Sequence, residues 1–439
     1  MRDTDGSPAG PGPALGICLA LVLVLAAASV VFGAGTEDAE PEAAAGQRLT
    51  PVPAIARRVE AIHGLRFRET PRPVTVDGAR ARREGLADFD RTNPVALRRA
   101  EEELYKLLGL LSPRDDLREI SASIFGDQVA GYYDPRTRDL RIVAGDRAPN
   151  RVVDETTIAH ELTHALEDQR FRLTLEDLGS GGDRARAYTA LVEGTATAVM
   201  QEYQRRHFKP EEALGGALAA AFGAPSTAGL PPFVTAQLLF PYLSGEQFVS
   251  RLRETGAGTW RLVDNAETVR PPVSTEQVLH PDAYLRVEQP DPVRIDGAGA
   301  VLGPGWKRVA REAFGEWQTR ELLARGGGTA AGRAAAGWGG DRYELWREGP
   351  IEAAGCAAPC VARDALVMRW RWDTARDARE FRAALDVAVR DGLGAAEAGP
   401  GRWTSRGGAV AVAERGARTV TLALAPGAGI AGRLARAGA

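Results

Sequence analysis

The chain has 439 residues, too many for one ordinary core, so a catalytic-sized domain plus at least one further folded unit is expected. Its 55 basic and 58 acidic residues nearly cancel, and both signs are spread along the whole length. That distribution argues against a nucleic-acid groove or a polybasic membrane patch.

In chain order, residues 6–36 carry no charge and Leu15 to Phe32 is almost wholly apolar. This reads as a signal-peptide core or an uncleaved anchor through residues 14–35, with a linker to residue 50, and it implies export of the remainder of the chain. Cys18 is in the wrong place for lipid attachment, and the remaining pair, Cys356 and Cys360, reads as a small disulfide rather than free thiols. Helices are predicted over Ile55–Leu65 and Pro94–Leu111, then a hairpin within Gln128–Val143 around the turn Asp134-Pro-Arg-Thr137. A helix capped by Asp154 should run to about Arg170 and, after the break at Gly179–Gly182, a second from Arg184 to about His207. Pro210–Leu230 reads as irregular and mobile, Pro232–Glu254 as helix, Pro271–Tyr284 as a loop, Leu285–Ile295 as a strand and Lys307–Leu323 as a helix. Past the low-complexity linker Gly326–Gly332, strands over Tyr343–Trp346, Ala365–Trp372, Gly408–Ala413 and Thr419–Leu424 accompany an amphipathic helix, Ala375–Val389. The predicted class is α+β: a mostly helical catalytic domain with a small sheet over 51–325 and a smaller α+β unit over 333–425.

The chemistry is concentrated in Ile158-Ala-His160-Glu161-Leu-Thr-His164-Ala-Leu-Glu-Asp168. On a helix, side chains four apart lie about 40° from each other around the axis, so both imidazoles project from one face and reach one ion. Glu161 lies about 100° further round, too far to share that ion yet placed to reach a water on it. The chain has only five histidines, so two at this spacing around a glutamate are not expected by chance. Ile158, Leu162 and Leu166 form a separate stripe, which predicts a two-faced helix with one side in the core and the other lining a cleft. Catalytic zinc takes three protein ligands and leaves a place for water. No third histidine comes closely after, so a carboxylate on the next helix is expected: Glu193, set among Gly and Ala that would let its helix approach, with Glu202 and Asp183 as alternatives.

His-Glu-Leu-Thr-His-Ala, Asp168 and the downstream Glu193-Gly-Thr-Ala resemble the gluzincin metallopeptidases, the thermolysin-like group. Gly131-Tyr-Tyr-Asp-Pro, Pro241-Tyr-Leu-Ser-Gly, Ser274-Thr-Glu-Gln-Val-Leu-His-Pro and Gly337-Trp-Gly-Gly-Asp-Arg-Tyr resemble a family of bacterial envelope proteins carrying that motif. The resemblance implies a zincin-like fold, a small sheet with its edge strand across the cleft, and one Zn²⁺ per chain on His160, His164 and Glu193. It also implies an oxyanion donor from a His or Tyr, for which His280 is the first candidate and Tyr133 the second. Asp168 would orient a ligand or sit at the surface. The edge of the hairpin suits extended polypeptides, and the C-terminal unit, with no ligand or nucleophile cluster, suits positioning of substrate or partner. The expected function is an extracytoplasmic zinc peptidase. A non-catalytic zinc module that binds extended polypeptides is the alternative, and a zinc hydrolase of non-peptide amides a third.

Overall fold

The computed structural model describes residues 49–127, 131–144, 150–172, 182–223, 229–327, 330–349, 359–405 and 408–437. The N-terminal apolar segment, Cys18 and Cys356 lie outside the described residues. Cys360 is disulfide-bonded. Among the described residues no helix is long and apolar enough to cross a membrane.

The order of elements is α1 (Val52–His63), β1 (Arg72–Asp77), α2 (Gly78–Thr92), α3 (Val95–Leu107), α4 (Leu117–Asp127), β2 (Gly131–Asp134), β3 (Asp139–Ala144), α5 (Arg151–Phe171) and α6 (Gly182–His207). Next come α7 (Pro210–Gly223), α8 (Pro232–Thr255), α9 (Arg261–Thr268), α10 (Thr275–Leu279), α11 (Pro281–Leu285), α12 (Ala298–Leu302), β4 (Trp306–Glu312), α13 (Gly315–Ala324) and α14 (Ala331–Ala335). The chain closes with β5 (Trp338–Glu348), β6 (Asp364–Trp372), α15 (Ala375–Val387), a π-helical turn over 388–392, β7 (Ala396–Gly399), β8 (Arg402–Ser405), β9 (Gly408–Arg415), β10 (Thr419–Ala425) and α16 (Ala428–Arg436).

The class is α+β, as expected. A three-stranded sheet, ordered β1-β3-β2, pairs β1 parallel and β2 antiparallel to β3, so the predicted hairpin is present with β2 at the sheet's edge. A second sheet of seven strands, β4-β5-β6-β10-β9-β8-β7, is antiparallel throughout. Its edge strand β4 comes from ahead of the Gly-rich stretch at 326–332. Strand alternation gives the sheet two faces. Leu366, Met368 and Trp370 of β6 join a core that continues without interruption to Ile55 of α1, Leu162 of α5 and Phe248 of α8. The opposite face carries Ala365, Val367, Ala423 and Ala425, small enough for α16 to pack down through Ala431 and Leu434.

Several local expectations give way to tertiary context. Asn150, not Asp154, caps α5: its side chain accepts the Val153 N–H at 3.1 Å, and the Asp154 carboxylate accepts the Asn150 N–H at 3.2 Å. Within 307–323 the first part is strand, because Trp306–Glu312 pairs with β5, and α13 starts only at Gly315, whose φ is +84°. Asp341 holds that break by accepting the Phe314 and Gly315 N–H groups at 2.6 and 2.7 Å. The proline-punctuated 271–284 stretch contains two short helices, α10 capped by Ser274 and α11 opened by Pro281. Residues 286–296 make no strand, since Pro290 and Pro292 remove ladder donors. The Ala/Gly-rich segment forms α7 as far as Gly223.

The largest departure is α5. Its apolar stripe predicts a two-faced helix, yet every residue from Glu155 to Glu167 is buried, because α1, α6, α7 and β2 surround it. A further departure concerns the small residues beside Glu193. They admit α8 rather than α5: a Cβ on Gly194 would fall 2.2 Å from the Gly245 carbonyl carbon, and one on Gly245 would fall 1.9 Å from the Ala190 oxygen. The backbones of α6 and α8 are in contact at that crossing, which fixes where Glu193 points.

Candidate metal centre

His160 and His164 stand one turn apart on α5, and α6 brings Glu193 across to them. The three facing atoms form a triangle: His160 Nε2 to His164 Nε2 is 3.1 Å, His160 Nε2 to Glu193 Oε2 is 3.2 Å, and His164 Nε2 to Glu193 Oε2 is 3.5 Å. A tetrahedral ion with bonds of about 2.0–2.1 Å sets its donors about 3.3–3.4 Å apart. The residues present therefore fit zinc in both donor type and spacing. Among the described residues Glu193 Oε1 is buried without a partner, as is His160 Nδ1. The ring centre of Tyr242, from α8, lies 6.0 Å from that of His160.

The charges in this group are arranged in opposition. Burial pushes the Glu193 carboxyl up, but the two histidines outweigh it and hold the group down at about 2. Burial pushes His164 down, and Glu193 reverses that to bring it up to about 9. His160 is lowered by burial. In the metal-free protein the pair is thus His164⁺ with Glu193⁻, and a divalent cation would displace the proton.

Glu161 is 2% exposed. Its Oε2 accepts the Tyr133 backbone N–H of β2 at 2.9 Å, while Oε1 is buried and has no partner among the described residues. Burial raises its carboxyl to about 8, with Glu193 adding to the rise and His164 and the Tyr133 amide opposing it. One oxygen is thus held and the other left free; a cation at the histidines would bring the carboxyl down and leave that oxygen able to accept a proton.

The remaining predicted residues separate. The Tyr133 hydroxyl donates to Asp168 Oδ2 at 2.9 Å, so Asp168 holds a tyrosine of the sheet edge rather than a histidine ligand. His280 is elsewhere: its Nε2 meets Glu316 Oε1 at 2.8 Å, and the groups acting on its charge are Glu316, Glu288 and Asp373, none of them in the triangle. Asp183 bonds Thr275, and Glu202 pairs with Arg205 and Arg206, so neither joins the histidines.

Behind α5 lies a second buried group that motif reading does not find. His63 Nε2 stands 3.5 Å from Glu167 Oε1, the His63 ring stacks on Trp260 at 4.6 Å, and Glu267 accepts from the Thr195 hydroxyl at 3.0 Å. Burial lifts Glu167 to about 8 and raises Glu267, and it depresses His63 to about 4. Glu167 lies three residues past His164, the only signal that could draw attention to it.

A model of a domain of unknown function, DUF8575, matches residues 302–435, the stretch that holds the seven-stranded sheet. No curated protein and no solved structure matches the chain.

Proposed function

We propose that the protein is an extracytoplasmic, zinc-dependent peptidase of zincin-like fold acting on polypeptides. The observation that carries this reading is the triangle of His160, His164 and Glu193 with Glu161, on the same helix, keeping one oxygen free. His160, His164 and Glu193 would hold a zinc ion, which would supply Lewis acidity to a scissile carbonyl and to a water. Glu161 Oε1 would take a proton from the attacking water and return it to the leaving amine, with Oε2 kept on the Tyr133 amide. A carboxyl raised by burial is suited to giving the proton back. Of the two candidate oxyanion donors, Tyr133 lies on the strand whose amide holds the base, whereas His280 is paired with Glu316; we favour Tyr133, whose hydroxyl would have to turn from Asp168 to serve. The export reading rests on the apolar N-terminal segment together with the disulfide at Cys360. The seven-stranded unit is read as a positioning or partner-binding element.

A second reading draws on burial. His160 is 0%, Glu193 1% and His164 7% exposed, as closed as a structural zinc site in a module that only binds polypeptides.

The test compares the full chain with its Glu161→Gln variant, measuring zinc by elemental mass spectrometry and cleavage of an unfolded polypeptide such as reduced casein. Both proteins should carry one zinc, and hydrolysis should fall by about 10²–10⁴-fold in the variant. Zinc in both with no cleavage by the parent selects the binding module. Unchanged activity in the variant removes Glu161 as the base.

A further inference from the structure

Away from the histidines, a second set of oxygen donors converges. One carboxylate oxygen each from Glu276, Glu288 and Asp373 lies within 4.8 Å of the others. Glu276 in α10 and Glu288 just after α11 are neighbours in the chain, and Asp373 comes from the distant turn between β6 and α15. Glu276 is 6% exposed, and its carboxylate takes no hydrogen bond among the described residues. Glu316 adjoins it, 3% exposed: Oε1 is on His280, but Oε2 is buried with no partner, and after burial its charge is the strongest influence on Glu276. Asp373 is exposed and Glu288 half-buried, so the cluster opens to solvent with Glu276 at its base.

Among the described residues no cation bonds the Glu276 carboxylate. Arg286 pairs with Glu288 at 3.1 Å, Arg418 donates to the main-chain oxygen of Asp373 at 2.9 Å, and His280, whose charge Glu288 and Asp373 favour, is held on Glu316 at 2.8 Å. A buried carboxylate facing others with no cation bonded to it is costly. Burial and its carboxylate neighbours push Glu276 up to about 9 and raise Asp373 as well.

We propose that Glu276, Glu288 and Asp373 form a binding site for a hard divalent cation, Ca²⁺, distinct from the histidine-containing centre. The donor set is oxygen only, which selects a hard ion over zinc. Ca²⁺ accepts irregular, incomplete protein coordination completed by water, as these three carboxylates would offer, whereas Mg²⁺ demands near-octahedral order. Bound there, the ion ties the α10–α11 segment to the β6–α15 turn of the seven-stranded sheet and offsets the repulsion around Glu276.

The test is calorimetric titration of Ca²⁺ into the full chain, freed of metal on a chelating resin and reloaded with one equivalent of zinc, with thermal unfolding in parallel. The expected result is one Ca²⁺ per chain and a rise in the unfolding midpoint. Asp373→Asn should weaken binding by about tenfold or more, Glu276→Gln should abolish it, and zinc content should be unchanged in both. No heat and no midpoint shift in millimolar Ca²⁺ would overturn the proposal. Binding undiminished in the variants would also overturn it, as would a Glu276→Gln protein more stable than a parent indifferent to Ca²⁺, which would show that the carboxyls hold protons instead. Should Glu276→Gln fail to fold, the exposed Asp373→Asn decides the matter alone.

Discussion

Two buried carboxylates contacting the same helix, α5, behave in opposite ways. Glu193 reaches it from α6 and is held down at about 2; Glu167, one turn past His164, is lifted to about 8. Both are almost wholly buried, at 1% and 0% exposure, so desolvation acts on each in the same direction. The difference is the partner. Glu193 faces two imidazoles at 3.2 and 3.5 Å, whereas for Glu167 burial, Asp264 and Glu193 outweigh the pull of His164, and the histidine beside it, His63, is kept neutral by burial. On one side of α5 a buried carboxylate is held in its charged form, and on the other it is pushed toward its neutral form.

The largest change should come from breaking the paired side. Glu193→Gln should reduce zinc from one per chain to a trace. In the metal-free protein it should also cost on the order of 3 kcal/mol, because His164 is left buried without its counter-charge. Elemental mass spectrometry and urea unfolding measure the two effects. Next is Gly245→Ala, whose Cβ would overlap the Ala190 carbonyl and push α8 from α6. A loss of about 1–3 kcal/mol is expected, with weaker zinc binding because Glu193 moves with its helix. A variant that is destabilised yet binds zinc as the parent does would show that the α6–α8 crossing does not aim Glu193.

The unpaired side is probed by pH. The folded value of Glu167, about 8, lies above its ordinary 4.5, so its contribution to stability is whole below 4.5 and is lost as pH rises through 8. Glu167→Gln should therefore gain on the parent in urea midpoint between about pH 5 and about pH 8. For His63 the sign reverses. Its folded value, about 4, lies below 6.5, so its contribution is present above 6.5 and is lost as pH falls through 4. His63→Gln should gain on the parent on that acid side. If both gaps stayed flat with pH, the contrast between the two sides of α5 would fail. The smallest effect belongs to the helix as a whole: Asn150→Ala removes the cap and should cost about 1 kcal/mol in urea unfolding, with zinc content unchanged.

What the sequence determined by itself was local. The i, i+4 spacing puts His160 and His164 on one face, and the structure has their Nε2 atoms 3.1 Å apart. Turn chemistry at Asp134-Pro135 marks the hairpin, and the run of Gly and Ala around Glu193 marks a close helix crossing, though not the partner helix. The start of the stretch Lys307–Leu323 reads as helix because its charged and apolar residues show no strict alternation, and it becomes strand where β5 pairs with it. Only the tertiary structure brought the Tyr133 amide to Glu161 across 28 residues and Thr195 to Glu267 across 72. It also closed protein around every side of α5 and brought Asp373 to Glu276 and Glu288 from a distant segment. Helical and turn signals repeat within a few residues and can be read along the chain. A buried charge takes its character from whatever packs against it, and that neighbour is chosen by the fold of the whole chain.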